Sequence, residues 1–242
     1  MCQCCVKHCG ISGQEEATKP GSDKERKNMV HPPSATQSTR PLGTLRLFSG
    51  VAERLALPSL TTERLTLDAM KMSDSDEVER LAGNEAVTRT ISGIPHPYPP
   101  GSSRPWIATH LAEFLAGKSV TWAIRLTGTG TLMGCIDLTI NKENDNAEVG
   151  YWLGVPYWNH GYITEAARAV IQFGFEYFGL KRIHARHMSI NPSSGRVMQK
   201  VGMTREGTLR RCYKKDGIYH DIVIYGILRS EWSERRAIST TG

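Results

Sequence analysis

The 242-residue chain predicts a mixed α/β sandwich, and three observations carry that reading. An extended apolar run from Ala147 to Val155 turns through Gly161 and passes directly into a helical stretch. Two further extended runs, Val120 to Leu126 and Leu132 to Ile140, precede it at meander spacing. After the helix the pattern continues strand, helix, strand, strand, the order of a sheet covered by helices and not of a bundle or a solenoid.

Residues 1 to 45 contain GQEEATKPGSDKERKN and HPPSATQSTRP, polar stretches almost free of large apolar side chains. Such a segment does not repay its ordering entropy, so a disordered, Cys-rich polar tail is expected. No apolar stretch of ~7 to 15 residues follows the start, so it does not read as a secretory signal. Cys2, Cys4, Cys5, His8 and Cys9 are crowded enough to bind metal or accept a lipid. They lack the second spaced knuckle of a folded zinc site, and a thiol-rich terminus is the simpler account. Met29 is a second candidate start. Leu45 to Leu57 (LRLFSGVAERLAL) spaces its apolar residues helically, giving a short helix or linker at 46 to 58 that Pro58 breaks.

The folded domain is placed at residues 59 to 235. Arg64 to Met70 alternates as a first strand, and Ser73 with Asp76 three residues on is a capping signal for a helix from Asp74 to Leu81. Gly93 to Ser102 (GIPHPYPPGS) is loop. From Ser103, residues Ile107, Leu111, Phe114 and Leu115 fall on one helical face. TGTGT joins the first two meander strands, and NKENDN leads into the third. That third strand is aromatic, β-branched or small with only Glu148 charged, which reads as burial on both faces, and Pro156 ends it. The next helix runs to about Phe178 and stops at Gly179. Arg182 to Ser189 is a strand, Ser193 to Val201 a helix closed by Gly202, and two strands flank the Lys214-Lys215-Asp216-Gly217 turn.

The net charge of +6 is uneven: residues 179 to 242 hold 13 Lys and Arg against 5 Asp and Glu, whereas residues 59 to 178 hold 9 against 14. The basic end suits an anionic cofactor or a ribosomal surface, and a solvated basic face equally. No run approaches the ~18 apolar residues of a membrane span. Only Cys135 and Cys212 fall in the folded part, so a reducing compartment, the cytoplasm, is expected.

A strand, a glycine turn and a bare helix N-terminus make an anion cradle, because the first helical N–H groups lack internal partners. The stretch has neither GxGxxG nor GxxxxGK[ST], and by spacing alone an ordinary strand-to-helix connection explains it as well. Read in full, GYWLGVPYWNHGYITEA (150 to 166) resembles the acetyl-CoA pyrophosphate loop of the GNAT N-acetyltransferases, in the branch holding the ribosomal-protein alanine and serine N-acetyltransferases. Leu60-Thr61-Thr62-Glu63-Arg64-Leu65 upstream agrees with it. So do Asn191-Pro192-Ser193-Ser194, Gln199-Lys200-Val201-Gly202-Met203, Glu206-Gly207, Asp216-Gly217, Asp221, Tyr225 and Leu228 to Trp232 downstream. The resemblance spans roughly residues 59 to 232. His160 stands where relatives usually carry Arg, Lys or Gln, and Ile163 where they usually carry a small residue.

The resemblance implies a mostly antiparallel twisted sheet with splayed central strands and flanking helices. It implies acetyl-CoA as acetyl donor, without a metal. The N–H groups of His160, Gly161, Tyr162, Ile163 and Thr164 would face its pyrophosphate. Leu153 and Val155 would offer a free strand edge to the pantetheine, the Val155 N–H polarising the thioester oxygen. Asn191 and Ser194 would complete the site, Ser194 either as general acid to the CoA thiolate or as a helix cap only. Lys200 and Arg196 would meet cofactor phosphate or lie on a solvated helix face. Burial would raise the pKa of Glu148 toward that of a general base, and a structural carboxylate paired across the sheet is the other reading. Tyr213 or a water chain is the alternative base. His184 and His187, three apart in a strand, point to opposite faces and are read as structural. The implied activity is acetylation of a primary amine, foremost a protein N-terminus. A polyamine- or aminoglycoside-like acceptor, or an inactive CoA- or partner-binding module, is the alternative. Nucleic acid is expected only through a ribosomal substrate.

Overall fold

The computed structural model describes residues 56 to 240, with side chains to residue 234. The polar tail, its thiol cluster and nearly all of the helix expected at 45 to 57 lie outside the described residues. Eight strands form one sheet in the order β1-β2-β3-β4-β5-β6-β8-β7. They are β1 (Leu60–Thr61), β2 (Leu65–Ala69), β3 (Ser119–Leu126), β4 (Leu132–Asn141), β5 (Asn146–Leu153), β6 (Arg182–Met188), β7 (Thr204–Lys215) and β8 (Ile218–Leu228). The helices are α1 (Ser75–Ala82), α2 (Glu85–Thr88), α3 (Ser103–Leu115), α4 (Tyr162–Tyr177), α5 (Pro192–Lys200) and α6 (Arg229–Thr240).

Strand alternation sorts the side chains into two cores, one on each face. Trp122, Ile124, Val149 and Leu153 join Val170, Ile171 and Phe175 of α4 on one face. Ala123, Cys135 and Trp152 meet Val78 and Leu81 of α1 and Ile107 of α3 on the other. Both faces are thus covered, and the β3–β4–β5 meander is antiparallel as its turns require.

The site is created where pairing fails. β5 and β6 run parallel but pair only from Asn146–Arg182 to Glu148–His184. Past Glu148 each strand stays with its other neighbour: β5 pairs with β4 as far as Leu153, and β6 with β8 as far as Met188. A wedge therefore opens between two strands that are each held from behind.

Several local expectations are corrected. β5 ends at Leu153, and Val155 to Tyr157 form a 3-10 turn, since Pro156 has no N–H for a ladder. Its burial on both faces is complete only at the end, where Trp152 enters one core and Leu153 the other; Ala147 and Val149 are also buried, while Glu148, Gly150 and Tyr151 are half-buried beside the wedge. α3 buries Ile107, His110 and Phe114, whereas Leu111 and Leu115 are exposed, so the face that packs is turned from the one the leucines mark. Ser73 does not cap α1. The Asp74 carboxylate instead accepts the Lys71 N–H at 2.6 Å and an Arg125 guanidinium at 2.6 Å. β1, α2 and α6 were not foreseen; the first two span two and four residues, too few for a pattern to repeat.

Arg125 is buried and also reaches Asp68 at 2.7 Å, tying β2, β3 and the entry to α1 together. Burial alone would raise the Asp74 acid, but Arg125 and the Lys71 N–H outweigh it and hold the carboxyl below its ordinary range. That stabilisation is complete above the unfolded-state value of ~3.9 and is lost as pH falls through the folded one. Arg125→Met, which leaves two carboxylates uncompensated, is expected to cost about 3–5 kcal/mol in urea denaturation at pH 7. The gap from wild type should narrow on acidification below about pH 4; a gap independent of pH would contradict this account.

Candidate functional site

The wedge opens into a cavity of about 620 Å³ walled by β5, β6, the starts of α4 and α5, and residues of β7 and of the α2 loop. At its α4 end, Gly161 takes φ +80°, a conformation that costs an L-residue about 1–2 kcal/mol. The turn aims the first N–H groups of α4 into the opening. An added Cβ would meet only the Arg64 Nη2, at 3.6 Å, so the glycine is required by its backbone angle and not by crowding.

This turn is braced from the far edge of the sheet. Glu165, in the first turn of α4, accepts the Thr62 hydroxyl at 2.6 Å, the Arg64 N–H at 2.8 Å and the Arg64 Nε at 2.8 Å. Arg64 also donates to the His160 carbonyl at 3.0 Å and lies 4.8 Å over the Tyr162 ring. Burial opposes ionisation of Glu165, but the Thr62 hydroxyl and the Arg64 N–H and guanidinium prevail and hold its pKa below the ordinary carboxylate range. The carboxylate that would otherwise repel an anion at the helix start is thereby engaged.

At the α5 end, the Asn191 side chain caps the helix by accepting the Ser194 N–H at 3.2 Å. Ser194 is therefore not the cap, and its hydroxyl is available for another task. It lies 2.9 Å from the Tyr151 hydroxyl, which reaches across the wedge from β5. Burial pushes the Tyr151 phenol well above its ordinary range, only partly offset by Ser194, so it stays protonated. Tyr151 was not singled out in the sequence; its place one residue before Trp152 in an apolar run gave no sign of a partner 43 residues away.

On the other face of β5, Glu148 accepts the Arg186 Nε at 2.8 Å and lies 3.9 Å from the His184 Nε2. Burial, with the Asp137 carboxylate behind it, pushes the Glu148 acid up to about 8, while the adjacent guanidinium draws it back toward the ionised form. Burial holds His184 low and neutral, which leaves Arg186 as the counter-charge. The cross-sheet pairing expected for a structural Glu148 is present, and the carboxylate also faces the cavity. The Tyr213 hydroxyl donates to the Ser92 carbonyl, and Lys215 Nζ to the Ile94 carbonyl at 2.9 Å, so the β7–β8 hairpin holds the loop before α3.

Of the residues singled out in the sequence, Glu148, Leu153, Gly161, Tyr162, Ile163, Thr164, Asn191, Ser194 and Lys200 all line the cavity. Val155 and His160 are not among the lining residues. Val155 packs against the α1–α3 core, and the His160 ring stacks on Tyr162 at 5.5 Å. His187 bonds the Met188 carbonyl at 2.8 Å, apart from His184. Among the described residues no group of three or more His, Cys, Asp or Glu side chains is placed to hold a metal, and no helix is long and apolar enough to cross a membrane.

Residues 64 to 204 match the family model described as an acetyltransferase (GNAT) domain. The chain belongs to the GNAT acetyltransferase family. The uncharacterized N-acetyltransferase YoaA of Bacillus subtilis (strain 168) is 28% identical over 173 residues, 71% of this chain and 97% of that protein. Two solved GNAT structures share the fold. The ribosomal-protein-S5-alanine acetyltransferase of Vibrio fischeri is 17% identical, covering 72% of this chain and 98% of its own, at TM-score 0.65. The spermidine N-acetyltransferase of Vibrio cholerae, solved with CoA and spermine, is 18% identical, covering 71% and 99%, at TM-score 0.62.

The protein is therefore a GNAT-type N-acetyltransferase that uses acetyl-CoA as its acetyl donor, on the mixed, splayed sheet that the sequence implied. Its own residues fit that donor, for the α4 N-terminus after Gly161 carries N–H groups suited to phosphate and lines a cavity of about 620 Å³.

Gly161→Val is expected to raise the KM for acetyl-CoA by about tenfold, the equivalent of the left-handed strain relieved by moving the N–H groups away. Gly161→Asn, which tolerates that conformation, should stay within about threefold of wild type. Equal effects of the two variants on steady-state KM would contradict the cradle geometry.

Proposed function

We propose that this enzyme acetylates a protein N-terminal amine, that Ser194 acts as the acid of the reaction and that Glu148 acts as its base. The observation that carries the acceptor is the charge of the cavity wall. Among the described residues the one carboxylate lining it is Glu148, already engaged by Arg186, and Arg89 adds a further cation, apart from Arg196 and Lys200 on α5. A polyamine carries several positive charges and calls for several carboxylates, whereas an N-terminal amine presents a single reacting nitrogen. Fold-level likeness to a ribosomal-protein acetyltransferase accords with this, and the like TM-score of the spermidine enzyme does not decide between them.

Acetyl-CoA supplies an activated acetyl thioester, and the chain supplies position and protons. Leu153 at the end of β5, with the Gly161 turn beyond it, orients the donor along the wedge. The new C–N bond forms at the acetyl carbon as the C–S bond breaks. Glu148 takes the proton released by the amine, directly or through water, in its ionised form beside Arg186. Ser194 gives its hydroxyl proton to the departing thiolate and is reprotonated through the Tyr151 hydroxyl at 2.9 Å. Lys200, which lines the cavity from α5, is assigned to a cofactor phosphate.

Because Asn191 is the cap, Ser194→Ala should leave the helix intact, losing one hydrogen bond worth about 1 kcal/mol. Its single-turnover rate at saturating acetyl-CoA should fall about 10²-fold, as for loss of a general acid. The acceptor is tested with radiolabelled acetyl-CoA against N-terminal peptides and spermidine. Peptide acetylation supports the reading; exclusive spermidine acetylation, or a wild-type chemical rate in the alanine variant, refutes the corresponding part.

A further inference from the structure

We infer that Trp158 is a positioning residue for the donor: its indole ties the turn into α4 to the end of the open β5 edge, and so fixes the span between the two places where acetyl-CoA is held. This deepens the donor placement proposed above and rests on it. The ladder shows which groups the edge offers. The Gly154 N–H donates to the Met133 carbonyl at 2.9 Å, and Leu153 lies opposite Gly134 of β4. Alternation along an antiparallel pair therefore turns the N–H and carbonyl of Leu153 away from β4 and into the wedge. That carbonyl is occupied, for the Trp158 Nε1 donates to it at 2.8 Å. The Leu153 N–H is left to face the donor. Trp158 lines the cavity and is 37% exposed, so the bond is made at the wall and not in a core.

The segment held in this way belongs to no helix or strand. Beyond the 3-10 turn at Val155 to Tyr157, Trp158 is extended, and Asn159 and Gly161 take left-handed angles of φ 64° and 80°. The Trp158 N–H reaches back to the Val155 carbonyl at 3.2 Å. At the other end the His160 carbonyl accepts Arg64 at 3.0 Å. Arg64 thus anchors the turn to the start of β2, and the Trp158 indole anchors it to the end of β5. With both anchors in place, the α4 N–H groups stand at a set distance from the last N–H of the edge.

A ligand that spans both places gains from that tether. Acetyl-CoA sets its pyrophosphate at the start of α4 and its pantetheine along β5. Each contact raises the effective concentration for the other only while the spacing between the two places matches the ligand. Holding that spacing in the free protein spares the ligand the cost of bringing them into register. A fragment that meets one place gains nothing from it.

The test uses the full-length protein and three probes: acetyl-CoA, ADP for the pyrophosphate end and pantetheine for the edge. Trp158→Phe keeps a ring at the wall and removes the N–H. It should raise the KM for acetyl-CoA about fivefold to tenfold, the worth of one hydrogen bond, with kcat at saturation within about twofold of wild type. Dissociation constants for ADP and for pantetheine, from NMR titration, should each change by less than about twofold, since neither fragment spans the tether. An unchanged KM for acetyl-CoA overturns the inference, because the bond is then idle. A loss of ADP affinity as large as the loss for acetyl-CoA also overturns it, because the ring or the turn then acts on the phosphate end by itself. The wild type supplies a check that needs no variant. Its Trp158 indole N–H should exchange more slowly than a free indole and stay protected when acetyl-CoA is added; fast exchange in either state contradicts the tether. Failure of the placement beneath is told apart in the same titration: ADP that binds and shifts no amide resonance from His160 to Thr164 overturns the donor placement itself.

Discussion

Everything chemical in this molecule depends on the early end of one ladder. Parallel pairing between β5 and β6 stops after three residue pairs, although both strands continue. Neither collapses toward the other because each has a complete antiparallel partner behind it, β4 for one and β8 for the other. The unpaired edges are exposed inside the fold, where an extended molecule with amide groups can lie along them. Sheet edges left open in this way ordinarily invite aggregation; here the opening is enclosed by α4, α5 and the loop before α3.

The charges around the wedge are arranged to leave each end suited to a different partner. At the donor end, Thr62 and Arg64 engage the Glu165 carboxylate and anchor the turn that carries the anion-binding N–H groups. Nearer the point where β5 and β6 part, Arg186 does the same for Glu148 from the neighbouring strand. Between them lies the uncharged Tyr151–Ser194 hydroxyl pair, which bridges the wedge at 2.9 Å. These groups are in direct contact with one another, so the site should respond to mutation as linked pairs and not as independent residues.

The meander, the β5-to-α4 turn, β6 and the hairpin of β7 and β8 were legible in the sequence because they are long and strongly patterned. The turn into α4 was legible as a strand, a glycine and a helix start, and Gly161 takes the positive φ that such a turn requires. What was not legible comes from pairing across the sheet. Arg64 and Glu165 are 101 residues apart, Glu148 and Arg186 are 38 apart, and only the strand order brings them together. The burying face of α3 was misjudged because His110, a polar residue by type, packs edge-on against Trp106 at 4.6 Å and takes the place a leucine was expected to fill. Val155 was assigned to a strand edge that had already ended, since Pro156 breaks the ladder earlier than its own position.

The central claim, that acetyl-CoA lies in the β5–β6 wedge with its phosphates at the start of α4, is tested most directly by hydrogen exchange with and without acetyl-CoA. Binding should slow exchange of the amides from 150 to 164 and from 188 to 195. The amides of α3, and those of the Lys214 to Gly217 turn, should exchange at unchanged rates. Protection confined to the α1–α3 face, or saturable binding with no protection between 150 and 164, would contradict the account.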